Sequence, residues 1–149
     1  MNKKIFNEHF ARFFENPSRD KFRELIKNNL GEFDNLDYKE DWTEYSKIAK
    51  HLLAFANTGG GCIIIGVKQD DNGILNSIGL NKIIDKADIN NKLSKYLPKL
   101  LKYEILDFYF EGSEYKNIEN KSFQVILIED APEHLPFIFD RFFRTDKSR

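Results

Sequence analysis

Apolar residues recur along this chain with two periods, and the switches between them mark its elements. Ile5, Phe6, Phe10, Phe13 and Phe14 follow the helical period, which predicts an amphipathic helix over Lys3–Glu15. Asn16-Pro17 breaks it. Ser18 is placed to cap a second helix carrying Phe22, Leu25, Ile26 and Leu30, which Gly31 ends. Residues 35–39, NLDYK, alternate instead, with Leu36 and Tyr38 on one side and Asp37 and Lys39 on the other. That pattern predicts a short, half-buried strand. Helical spacing returns over 44–57, with Ile48, Leu52, Phe55 and Ala56 on one face and Thr43 as the candidate cap. Three glycines, 59–61, stop that helix. CIIIGV, residues 62–67, is apolar throughout and β-branched, as expected of a central strand covered on both faces.

Beyond it, residues 68–73 read as a polar turn, with Asp71-Asn72-Gly73 as its signal. A helix is predicted over 83–96, closed by Leu97-Pro98. Strands over 103–110 and 122–128 form an antiparallel hairpin across the polar loop 111–121, and 137–143 reads as a last strand. The order predicts an α/β (α+β) fold, a mixed β-sheet with helices packed on it. An N-terminal helical segment, residues 1–29, precedes the main domain, residues 30–149. Its aromatic helices either pack on that domain or join a partner, a second copy included.

Composition narrows the function. The 149 residues fit one ordinary domain, and 14 Phe make its core aromatic. The formal net charge is −1, so any hold on nucleic acid must come from a local patch. A single cysteine, Cys62, excludes an intrachain disulfide, argues against a Cys-based zinc site and fits a reducing cytoplasm. MNKKIFNEHFARFFEN has no long apolar run, so no signal peptide or membrane span is expected there.

Candidate chemistry sits mainly around the first strand. Glu32, Asp34 and Asp37 crowd three carboxylates into six residues, and bound Mg²⁺ or Mn²⁺ would relieve their repulsion. Lys39, on the same side as Asp37, would neutralise the site or hold a phosphate. The ordinary alternative is a solvated acidic loop. Asp70 and Asp71 follow the central strand, where sites of α/β folds often lie, yet Asn72-Gly73 supports plain turn residues. His51 is a general base, a substrate contact or simply a hydrogen-bonded helix residue. Lys92, Lys95 and Lys99 share a helix face, and Arg141, Arg144, Lys147 and Arg149 crowd the C-terminus beside Phe142 and Phe143. Both clusters suit phosphates, and both suit plain solvation. The triple glycine lies at a helix C-terminus, and the chain lacks GxxxxGK[ST], which argues against a phosphate-binding loop.

Taken together, Glu32-x4-Asp37-Tyr-Lys39, then IAKHLLAFANTGGGCIIIGV, Ile78-Gly79-Leu80, Tyr96-Leu97-Pro98 and the tail Leu135-Pro136-Phe137…Arg141-Phe142-Phe143-Arg144, resemble the Schlafen AlbA_2 domain over roughly residues 30–146. The resemblance implies a nucleic-acid-binding domain, and in one branch of the family a divalent-metal endoribonuclease acting on structured RNA such as tRNA. It implies catalytic residues among Glu32, Asp37, Asp70 and Asp71, with Glu32, Asp37 and Asp70 (or Asp71) as metal ligands. Asp37 stands where the family has Glu, and Lys68-Gln69 intervene before the third acid. Lys39, Lys95, Arg141 and Arg144 are then the expected nucleic-acid contacts. A non-catalytic binding module and a protein-assembly domain are the alternatives.

Overall fold

Each break in the hydrophobic pattern has a local cause in the computed structural model, which describes residues 3–27 and 35–129, and of residues 3–7 and His9 only the backbone. Helix α1, Lys3–Glu15, ends at Asn16-Pro17. Helix α2, Arg19–Lys27, starts where the Ser18 hydroxyl accepts the Lys21 N–H at 3.2 Å. Strand β1, Leu36–Lys39, leads to helix α3, Tyr45–Ala56, and on to strand β2, Gly60–Ile65. β1 and β2 are parallel neighbours, so this stretch is a strand–helix–strand crossover.

The central strand is shorter than CIIIGV suggests. Gly66 adopts φ 117°, a conformation open to glycine and costly for other residues. There the chain leaves the sheet and forms a separate two-stranded hairpin from β3, Val67–Gln69, and β4, Leu75–Ser77. Of the expected polar turn over 68–73, Lys68 and Gln69 belong to β3 and the rest forms the hairpin tip. Helix α4, Lys86–Leu93, is also shorter than expected, because the Asp85 carboxylate caps it by accepting the Ala87 N–H at 3.1 Å. β5, Tyr103–Tyr109, and β6, Ser122–Glu129, form the expected antiparallel pair. The last expected strand, 137–143, lies outside the described residues.

The main sheet runs β1-β2-β6-β5, with β2–β6 and β6–β5 antiparallel. This is the mixed sheet expected. One face packs Leu36, Tyr38, Cys62, Ile64, Val125 and Leu127 against Phe10 and Phe13 of α1 and Phe22, Leu25 and Ile26 of α2. The other packs Ile63, Ile65, Ile126 and Ile128 against α3 and α4. The layers are therefore helix, sheet, helix, and the N-terminal helices form one of them. Arg19 and Arg23 of α2 also clamp Glu114 in the long β5–β6 loop, at 2.9 and 2.6 Å. Among the described residues, no helix is long and apolar enough to cross a membrane.

The triple glycine serves this packing. Gly59 and Gly60 have positive φ and make the helix-to-strand turn. At Gly61 a Cβ would lie 2.5 Å from the Phe55 ring and 2.8 Å from the Asn35 carbonyl oxygen. Gly61→Ala is therefore expected to lower the unfolding free energy by about 1–3 kcal/mol, as overpacking does. Urea denaturation checks this, and an unchanged midpoint would contradict the close approach.

Candidate functional site

Strand β1 turns its two faces to different layers. Leu36 and Tyr38 enter the core beneath α1 and α2. Asp37 and Lys39 therefore point to the α3 side. The strand was expected to be half-buried, but helices cover both faces, and Asp37 is only 7% exposed. A carboxylate so far from water needs compensating partners. Lys39 Nζ lies 3.1 Å from Asp37 Oδ2, and His51 Nδ1, reaching down from α3, lies 3.4 Å from the same oxygen. Lys39 Nζ and His51 Nε2 are 3.4 Å apart and form a hydrogen bond. The three side chains close a ring of contacts between strand and helix.

The ring is graded in exposure. Asp37 is its floor, while the Lys39 and His51 side chains are 28% and 42% exposed. Lys39 also lines a cleft of about 320 Å³ shared with Glu40, Thr43, Glu44 and Lys47. Lys47 and Glu44 form an exposed ion pair at 3.2 Å on the cleft's rim. α3 begins here without a side-chain cap: Thr43 does not take that role, and the capping position falls to Glu44, which is left-handed at φ 55°.

A buried amide steadies the neighbouring loop. Gln124 of β6 accepts the Trp42 Nε1–H at 2.8 Å and the Ile84 N–H at 3.1 Å. Its amide nitrogen donates to the Ile84 carbonyl at 2.9 Å and to Asp107 at 2.8 Å. Trp42, thus pinned, stacks on Tyr45 at the start of α3, with ring centroids 5.9 Å apart. One glutamine ties the loop after β1 to the centre of the sheet. The sequence signal for it was a lone amide at an inward position of the apolar run SFQVILI.

Burial lowers the His51 pKa from its ordinary 6.5, Asp37 opposes that, and Lys39 adds to it. A histidine depressed in the folded state contributes fully above its unfolded value. That contribution is lost as the pH falls through about 6.5 toward the folded value, because the unfolded chain takes the proton first. The stability gap between wild type and His51→Gln is therefore expected to shrink on going from about pH 8 to pH 5. Denaturation of both proteins at each pH tests this, since His9 and His134 are common to both. A gap that widens toward acid would contradict it.

Asp70, Asp71 and Lys95 are the other candidates among the described residues. Asp70 Oδ1 accepts the N–H groups of Asn72 and Ile74, both at 2.9 Å, so its carboxylate shapes the β3–β4 turn. Asp71 is exposed in that turn. Among the described residues, no group of three or more His, Cys, Asp or Glu side chains is placed to hold a metal ion. Lys95 is exposed in the turn after α4, and Lys92 lies 5.2 Å over the Tyr45 ring. Glu32, Arg141 and Arg144 lie outside the described residues. His51 is the site residue that spacing left ambiguous. It lies beside the buried stripe of α3, but only the crossover brings it over Asp37.

No curated protein matches this chain. The family model described as Schlafen, AlbA_2 matches residues 32–147, which takes in β1, the ring, the glycine turn and the whole sheet while leaving α1 and α2 outside. That family is generally associated with nucleic acids. The chain, matched over most of its length, belongs to the Schlafen AlbA_2 family.

Proposed function

We propose that this domain binds nucleic acid by its phosphates, with the Lys39 ammonium as the fixed contact. The observation that carries the reading is the position of that ammonium. It is held 3.1 Å from a buried carboxylate and still lines an open cleft. A lysine has three N–H donors. Asp37 and His51 face part of the ammonium, and the remainder can serve a phosphate oxygen. Asp37 balances the Lys39 charge and Glu44 that of Lys47, so the patch orients a phosphate more than it attracts one. Lys95, Arg141 and Arg144 are the proposed sources of the longer-range field. A net charge of −1 makes that field weak, and phosphate contacts make the binding salt-sensitive.

Fluorescence anisotropy with a structured RNA tests this. Between about 50 and 200 mM salt, Lys39→Ala is expected to weaken binding and reduce the slope of log K against log salt by about 0.7–0.9, one phosphate contact. An unchanged affinity and slope would remove Lys39 from the interface.

Metal-dependent RNA cleavage is the second reading, favoured by the burial of Asp37. It takes Glu32, Asp37 and Asp70 (or Asp71) as ligands to Mg²⁺ or Mn²⁺ and Lys39 as the contact to the scissile phosphate. Glu32 lies outside the described residues, and Asp70 Oδ1 accepts two N–H groups of its own turn. Incubation of tRNA with the protein and Mn²⁺ separates the readings. Bound but intact RNA supports the binding module, and cleavage lost in Asp37→Asn supports the enzyme.

A further inference from the structure

From the ring over β1 we infer that His51 is a positioning residue for Lys39, acting as the Nδ1–H tautomer. This rests on the binding reading for its consequence, though not for its geometry. A protonated lysine offers donors and no acceptor. The Lys39–His51 hydrogen bond at 3.4 Å therefore requires an unprotonated Nε2. The ring proton of the neutral imidazole is then on Nδ1, the nitrogen 3.4 Å from Asp37 Oδ2. The opposite tautomer would aim an N–H at an ammonium, which is unfavourable.

The consequence is mechanical. Lysine has a long flexible stem, and fixing its head before a ligand arrives spares the ordering cost at binding. Asp37 alone gives the ammonium one anchor on its own strand. His51 supplies a second from the helix opposite, so the head is held from two sides with its remaining face toward the cleft. The ligand class this suits is a single phosphate group, a diester or an end phosphate, seated at the mouth of the cleft beside Lys39. His51 does not touch that phosphate, and its effect passes through the lysine.

Two measurements decide it. Nitrogen-15 shifts of the His51 ring in the free protein at neutral pH are expected to show Nδ1 protonated and Nε2 bare. A protonated Nε2 with a bare Nδ1 would overturn the assignment whether or not RNA binds. In anisotropy titrations, His51→Leu is expected to weaken RNA binding by about three- to tenfold, as loss of one hydrogen bond does. His51→Gln, with an acceptor for Lys39 and a donor for Asp37, is expected to restore most of that. The salt slope should stay at the wild-type value in both variants, because neither removes a cation. Wild-type affinity in His51→Leu would overturn the positioning role. So would equal loss in both variants. Failure of the wild-type protein to bind any RNA would instead sink the binding reading and leave the ring nitrogen shifts to judge the geometry.

Discussion

Phe22→Ala is expected to lower the unfolding free energy by about 3–5 kcal/mol, the range for deleting a buried aromatic ring. Phe22 is fully buried on α2. Its ring stacks on Phe108 at 4.6 Å, lies 6.0 Å from Phe110, and meets Phe123 edge-on at 5.6 Å and Phe13 at 5.7 Å. Two of those partners are on strands β5 and β6, and a third lies just past β5. The ring is thus the pin between the N-terminal helical layer and the sheet. The cavity left by alanine would be lined by rings that cannot collapse into it without tilting together. For a chain of this length the loss corresponds to a fall in Tm of about 10 °C. Calorimetry measures it. A fall of less than about 1 kcal/mol, the range of ordinary surface substitutions, would mean that α1 and α2 are not part of the cooperative core.

Asp37→Ala is expected to cost about 2–3 kcal/mol. A fully buried ion pair would cost more on losing one partner. Here Lys39 and His51 keep partial access to water, which softens the penalty. The loss should be shared with Lys39. In a double-mutant cycle the pair Asp37→Ala and Lys39→Ala is expected to show a coupling of about 1–3 kcal/mol, as for residues in one network. Denaturant midpoints of the four proteins provide it. Strict additivity would mean that the 3.1 Å contact does not hold in solution.

Much of this was legible in the residues. The alternation of LDYK placed Asp37 and Lys39 on one side, and the structure has them there. The helical spacing of the Phe residues gave α1, and that of Phe22, Leu25 and Ile26 gave α2, though it left open whether they pack on the domain. The crossover partner His51 was visible as a helix residue beside the apolar stripe. Its pairing with Asp37 was not, because it depends on how β1, α3 and β2 close on one another. The break at Gly66 was hidden in an unbroken apolar run, and only its positive φ reveals it. Short, polar strands β3 and β4 carry too little hydrophobic alternation to be read, so the polar turn expected around Asp70 and Asp71 was legible while the hairpin it closes was not. The role of Gln124 was not read, because its four hydrogen bonds require Trp42, Ile84 and Asp107 from three distant segments.

The central claim is that phosphates are met at the Lys39 end of β1 and the neighbouring face of α3. Backbone amide shifts of the protein, followed as a short RNA hairpin is added, test it most directly. The account expects the largest changes among residues 37–41 and 47–51, fading as salt is raised. Changes confined to the β3–β4 hairpin or to the surface of α1 and α2, with the Lys39 region silent, would contradict it.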